Sequence, residues 1–388
     1  MLDSQRHHFD IPREVAYLNA AAWSPLPLAV QAEGAAGVAR KGRPWTLDPG
    51  LSAQQIARAR AAAAALIGAA SHDVAVIPSV SYGVATAGKL LRPAAGSRVL
   101  VIADDHASPV LEWHARAPAG GFTVDVVARR DGESWTEALL AAIGRPGAAP
   151  VALASISSVH WSDGGIVDLA AVGAALRKAS AWLLVDATHH AGALPLDVAA
   201  IDPDVLIFPT YKWALGPYGR AFAYIAPRHQ QGEPLEQTGP ARVGVNSERT
   251  PYLADLAYRP DATRFDMGER DHFIGLSMAA AGMEYLAQLG TGAVAARLAA
   301  LTDRLAAGLA GAPVRMLPRE HRAPNLLCLE FAPGMPDRLI ERLAERQVFV
   351  APRLGRMRIS PHVYNDEADI DAFLAAFQAL VRPAARAA

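Results

Sequence analysis

Residues 181–225 read AWLLVDATHHAGALPLDVAAIDPDVLIFPTYKWALGPYGRAFAYI. Three apolar runs stand in this stretch, AWLLVD, DVLIF and AFAYI, divided by turn residues. Short runs that are apolar at nearly every position belong to strands covered on both faces. The pattern continues upstream in VAVI (74–77), RVLVI (98–102), FTVDVV (122–127) and PVALASI (150–156). Between most of these runs lie segments of helical spacing, such as WTEALLAAIG and LAAVGAALRKAS. Strands alternating with helices predict an α/β fold with a mainly parallel, doubly covered sheet.

Downstream the pattern lapses. Residues 228–262 turn to Pro, Gly and polar residues (HQQGEPLEQTGPARVG) and read as a long loop. Helices are expected at about 273–289 and 291–311, followed by a small α+β unit built from NLLCLEF, PDRLIERLAERQ, VFVAP, RMRIS and EADIDAFLAAFQALV. The expected organisation is an N-terminal arm over 1–20 packing on the small domain, a large domain over 21–262, and a smaller C-terminal α+β domain over 263–388.

Composition narrows the function classes. Of 388 residues, 52% are hydrophobic and 19% charged, the balance of a globular chain. With 37 Lys+Arg against 38 Asp+Glu, the formal net charge of −1 provides no global attraction to nucleic acid or an anionic membrane. One cysteine excludes an internal disulfide framework and a Cys-rich zinc site. The N-terminus MLDSQRHHFDIPREVAYL has no signal-peptide pattern, and apolar stretches such as ARAAAAALIGAA are short and charge-interrupted, so a soluble cytoplasmic protein is expected. No P-loop or GxGxxG fingerprint occurs, and the pairs His7-His8 and His189-His190 form no metal pattern, so no metal is expected.

Two segments carry chemistry. Asp186 ends an apolar strand, where open α/β sheets bind their ligands; it either caps a helix starting at Thr188 or faces a cationic partner. His189 follows three residues later. Lys212 follows another buried-type strand, between Tyr211 and Trp213 and ahead of the Gly216-Pro217 turn. Burial disfavours an ammonium ion and lowers its pKa, which suits an amine that attacks a carbonyl.

Taken together, VDATHHAGALPLDV and PTYKWALGPYGRAFAYIAP closely resemble the pyridoxal-phosphate (PLP) site of the class V aminotransferase family. That family includes cysteine desulfurases, kynureninase, isopenicillin-N epimerase-like enzymes and carbon–sulfur lyases. YLNAAAWSPLP (17–27), DDHASPVLEW (104–113), RFDMGE (264–269) and RMRISPHVYN (356–365) resemble further family motifs, in the family order. The resemblance implies fold type I, PLP as cofactor, an amino-acid substrate, and a homodimer whose loops close each other's pockets. Carried over by residue, it implies Lys212 as the Schiff-base lysine and proton carrier, Asp186 at the pyridinium nitrogen and His189 beside the phenolic oxygen. His106 is the imidazole stacked on the ring. Val80, Ser81 and Tyr211 are implied at the phosphate, Arg358 at the substrate carboxylate, and Ala22 at a substrate-binding position.

Three departures from the family pattern stand out. The one cysteine, Cys328, lies in the alternating strand NLLCLEF rather than on a loop near Arg358, so a persulfide-forming desulfurase is not expected. Trp161 replaces the family's Asn near the phenolic oxygen, where it packs on the cofactor or lines the pocket. Glu269 replaces a Thr that reaches the phosphate of the other subunit, and an arginine such as Arg270 or Arg242 is expected to pair with it. Arg353 and Arg356 are expected at the surface, or reading a distal group. The leading expectation is a carbon–sulfur (β-elimination) lyase, then a class V aminotransferase or an amino-acid epimerase. A catalytically silent PLP-fold binding protein is the expectation from a different class.

Overall fold

The computed structural model describes residues 2–381. All seven apolar runs become strands of one sheet: β1 (Val74–Ile77), β2 (Arg98–Ile102), β3 (Thr123–Val127), β4 (Val151–Ser157), β5 (Trp182–Asp186), β6 (Val205–Pro209) and β7 (Ala221–Ile225). Their order is β1-β7-β6-β5-β4-β2-β3. Neighbours from β6 to β3 pair in parallel, whereas β7 runs antiparallel to both β1 and β6. Every residue of β1, β2, β6 and β7 is buried, as two-sided coverage requires. The edge strand β3 is the exception, with its first four residues at least partly exposed.

Helices α1 (Leu28–Lys41), α2 (Leu51–Ile67), α3 (Val80–Leu90), α4 (Ala107–Gly120), α5 (Trp135–Ile143) and α6 (Leu169–Lys178) surround this sheet. Two cores result. One holds Leu100, Ile156, Val185 and Phe208 with α2, and the other holds Val99, Leu153, Leu184 and Ile207 with α3 and Trp113 of α4. Each fully buried Leu, Ile or Val contributes about 1.5–3 kcal/mol relative to exposure.

Residues 228–262 are not wholly a loop. They contain an antiparallel ribbon, β8 (Arg242–Val245) with β9 (Leu253–Tyr258), that keeps Val243, Leu253 and Leu256 exposed. Helix α7 (Gly275–Leu289), assigned from sequence to the small domain, instead packs on α1 and α2, and its Leu276, Ala280 and Met283 join the large core. Glycine makes that approach possible: a Cβ on Gly37 would meet Ile274 Cα at 2.9 Å.

The small unit begins with α8 (Thr291–Gly308). It carries a four-stranded sheet of β10 (Val314–Arg315), β11 (Leu327–Phe331), β12 (Ala351–Arg353) and β13 (Arg356–Ile359), in the order β10-β11-β13-β12, with α9 (Glu367–Leu380) packed on it. Leu354 and Gly355, at φ of 47° and 78°, form the two-residue turn between β12 and β13. Near the N-terminus Ala16–Tyr17 pairs in parallel with Val348–Phe349, and Ala16 and Leu18 enter the small unit's core. Among the described residues no helix is long and apolar enough to cross a membrane.

Candidate functional site

A cavity of about 230 Å³ opens at the C-terminal ends of β4, β5 and β6. Val80, Ser81, His106, Trp161, Asp186, His189, Tyr211 and Lys212, all expected from the sequence, line it. Topology explains the convergence, because parallel strands deliver their following loops to one edge of the sheet.

Asp186 ends β5 and is 3% exposed. Its Oδ1 accepts from the Thr188 amide at 2.9 Å and from the Thr188 hydroxyl. Residues 188–190 form a turn, not the start of a helix, so the carboxylate closes an Asx turn and not a helix cap. Its other oxygen accepts no hydrogen bond among the described residues.

His189 is held by a residue whose role sequence reading missed. The indole Nε1–H of Trp213 donates to His189 Nδ1 at 3.0 Å. Nδ1 therefore carries no proton, and a neutral ring must carry it on Nε2, the nitrogen left to the cavity. Burial, then the positive charges of Lys212 and Arg358, hold this imidazole well below its usual pKa, so it stays neutral.

Lys212 is 8% exposed and makes no hydrogen bond or ion pair through Nζ among the described residues. Burial first, and Arg358 second, lower its pKa to about 7. A large fraction of the amine is thus unprotonated near neutral pH.

His106 caps α4, its Nδ1 accepting from the Ser108 amide at 3.4 Å. Desolvation, aided by the positive charges of Lys212 and Arg358, lowers its pKa. Beneath it Asp105 accepts from the His106 amide at 2.7 Å and from the Ser157 hydroxyl at 2.7 Å. Desolvation raises the Asp105 carboxyl to about 6. Trp161 meets the His106 ring edge-on at 5.6 Å and donates its indole N–H to Asp104 O at 2.7 Å.

At the other end of the cavity two helix N-termini meet. Ser79 caps α3 by accepting from the Tyr82 amide at 3.2 Å, which frees Ser81 from that task. The Ser81 hydroxyl lies 3.0 Å from that of Ser108 in the first turn of α4. Free amides, hydroxyls and two positive dipole ends suit an anion such as phosphate. Arg220, which no sequence motif signalled, also lines this cavity. The Ile77–Ala221 register sets it beside Pro78 and the turn into α3. It is 8% exposed, its Nε has no partner, and among the described residues no carboxylate pairs with it. Burial lowers its pKa.

Tyr211 lies against Tyr218, ring centroids 4.3 Å apart, and burial pushes its phenol up to about 12. Arg358 on β13 is 1% exposed; Nη1 donates to Trp161 O at 3.0 Å, while Nε and Nη2 have no partner. Burial lowers its pKa to about 10. Ala22 does not line the cavity: its amide donates to Asn19 O at 3.0 Å in the turn ahead of α1.

One expectation about neighbouring charges changes. Glu269 is exposed and forms no ion pair among the described residues; Arg270 pairs with Asp266, and Arg242 bonds Gln237 and Leu256 O. Asp266, already paired with Arg60 at 2.7 Å, draws Arg270 away from Glu269. Arg353 is half-buried over Trp161. Cys328 is buried in β11, and burial raises its thiol to about 12. No group of three or more His, Cys, Asp or Glu among the described residues could hold a metal ion.

The donor set fits PLP: a carboxylate for a pyridinium, a neutral imidazole N–H, a desolvated amine, and a guanidinium without a counter-charge, its Nε unpaired, beside two helix N-termini. The comparisons agree. The family model described as aminotransferase class-V matches residues 17–373. The chain is 29% identical over 320 residues to an uncharacterized aminotransferase, YcbU, of Bacillus subtilis (strain 168), covering 79% of each chain. It is 32% identical over 180 residues to kynureninase of Burkholderia mallei (strain SAVP1), 44% of this chain but 41% of that one. A cysteine desulfurase of Thermococcus onnurineus NA1 superposes with a TM-score of 0.82 at 20% identity, covering 97% of both chains. The cystine C–S lyase C-DES, in complex with cysteine persulfide, superposes with a TM-score of 0.82 at 19% identity, covering 94% of this chain and 97% of that one. The chain belongs to the class V aminotransferase family of PLP-dependent enzymes.

Proposed function

We propose that the enzyme is a carbon–sulfur β-lyase acting on an S-substituted cysteine. The observation that carries the reading is a partnerless, near-neutral amine on Lys212 beside the charge of Arg358, which helps to lower its pKa and whose Nε and Nη2 are unpaired. One is suited to lift a proton, the other to grip a carboxylate.

Asp186 would hold the pyridinium nitrogen of PLP, His189 Nε2–H the phenolic oxygen, and His106 the ring face. Ser81, Tyr211, the α3 amide of Val80 and Arg220 would hold the phosphate. The chemistry that PLP supplies when bound is an electron sink for the charge left at the substrate Cα. Arg358 would orient the substrate through its α-carboxylate, with its Nε and Nη2 free to donate. Lys212 Nζ takes the Cα proton. Trp161 covers the His106 edge and excludes water from that side. The Cβ–S bond then breaks with its electron pair on sulfur, which leaves as a thiol after gaining a proton. Overall, an S-substituted cysteine and water give a thiol, pyruvate and ammonia.

Elimination of a free thiol is favoured because Cys328, buried in β11, offers no thiolate to receive sulfur. The likeness to the B. subtilis aminotransferase supports transamination as a second reading. A two-subunit site remains part of the proposal, with a homodimer as the working assembly. Pyruvate assayed after adding S-alkyl cysteines, without an oxo acid, tests the lyase reading. Pyruvate release supports it, and turnover only with an added oxo acid replaces it with transamination.

A further inference from the structure

We propose that Arg353 makes the enzyme selective for amino acids whose side chain ends in an anion, such as a carboxylate. The inference rests on the amino-acid substrate reading above.

The geometry begins with the β12–β13 hairpin. Ala351 pairs with Arg358, and Arg353 pairs with Arg356, across a tight Leu354-Gly355 turn. Directly opposed residues in an antiparallel pair share a face, so Arg353 and Arg358 project from the same side of the sheet. They are diagonal neighbours, a separation of about 7–8 Å and somewhat less between β-carbons. Arg358 donates to Trp161 O, and the Arg353 guanidinium carbon lies 6.0 Å from the centre of the Trp161 ring. Trp161 lines the cavity; Arg353 and Arg358 sit against Trp161 and are not themselves among the lining residues.

Charge balance separates these arginines from their neighbour. Arg356 has Glu330 at 3.8 Å. Arg353 has no acidic partner among the described residues, and its one hydrogen bond runs from Nη1 to the adjoining Pro352 O at 2.7 Å. Asp186 is the one acid among the residues lining the cavity, and Thr188 already bonds it. The positive charge of Arg353 reaches the site, lowering the pKa values of Lys212, His106 and Arg358. One carboxylate satisfies Arg358. A second anion, one side chain's length away, is what Arg353 lacks, and a guanidinium binds carboxylate through paired N–H donors.

The test compares S-carboxymethyl-L-cysteine with S-carbamoylmethyl-L-cysteine, which share a shape and differ in charge. The wild-type enzyme is expected to favour the acid at least tenfold in kcat/KM. In Arg353→Gln that ratio falls at least tenfold, Arg353→Lys keeps part of it, and Arg356→Gln matches wild type. A wild-type ratio near one, or an unaltered ratio in Arg353→Gln, overturns the proposal. Dissociation constants for glutamate and glutamine, read from the visible absorbance of the PLP-loaded protein, need no turnover. A charge preference there that Arg353→Gln abolishes, with neither thioether cleaved, sinks the lyase reading and upholds Arg353. Equal binding of both amino acids to wild type sinks the role of Arg353.

Discussion

Arg220→Gln should move two properties in opposite directions. The guanidinium is 8% exposed, has a partnerless Nε and faces no carboxylate among the described residues. In the cofactor-free protein it is a buried charge with no counter-charge, eased only by the Nη1 hydrogen bond to Gly219 O, a situation that costs up to several kcal/mol per ion even after relaxation. Glutamine removes the charge and keeps polar reach, so the apoprotein should gain on the order of 1 kcal/mol in urea denaturation. Cofactor binding should change the other way. A hydrogen bond to a charged group contributes about 1.5–3 kcal/mol, so PLP should bind roughly 10- to 150-fold more weakly. Pyridoxal, which lacks the phosphate, provides the internal comparison. Fluorescence titration of the apoprotein with each ligand should show the loss for PLP and less than about a threefold change for pyridoxal. Equal losses for the two ligands, or a PLP affinity within threefold of wild type, would refute the assignment of Arg220 to the phosphate.

Three further outcomes are expected. Trp213→Phe removes the donor to His189 Nδ1, leaving a buried acceptor unpaired at about 1–3 kcal/mol; the melting temperature and PLP affinity should both fall, and an unchanged affinity would show that the tautomer lock is irrelevant. Lys212→Met should stabilise the apoprotein by a few kcal/mol. Because the folded-state pKa of Lys212 is lowered from 10.5 to about 7, its penalty is complete below pH 7 and fades as pH rises toward 10.5. Denaturant titrations at pH 6.5 and 9.5 should show the gain shrinking, and a pH-independent gain would contradict the lowered pKa. Cys328, with its thiol raised to about 12, should resist a thiol-specific disulfide reagent in the native protein and react after unfolding, and Cys328→Ala should retain activity.

The large sheet was legible because its strands are covered on both faces, which leaves runs such as RVLVI and DVLIF apolar throughout. The β8–β9 ribbon escaped notice because none of its residues is fully buried and no apolar run marks them. Helix α7 was visible as a helix, yet its docking on α1 depends on Gly34 and Gly37 permitting close approach, which periodicity does not record. Within the site, Asp186, His189 and Lys212 were readable because each follows a strand or turn at the sheet's C-terminal edge. Arg220 and Trp213 were not, and Arg353 was readable only as a surface residue or a reader of a distal group, since their meaning comes from sheet register, from side-chain contacts and from counter-charges that are missing. Those relations span distant parts of the chain.

The most direct test of the account is borohydride reduction of the PLP-loaded protein, followed by proteolysis and mass spectrometry. The account predicts one phosphopyridoxyl adduct, on the peptide carrying Lys212. An adduct on Lys41, Lys89 or Lys178 instead, or no adduct at all, would contradict it.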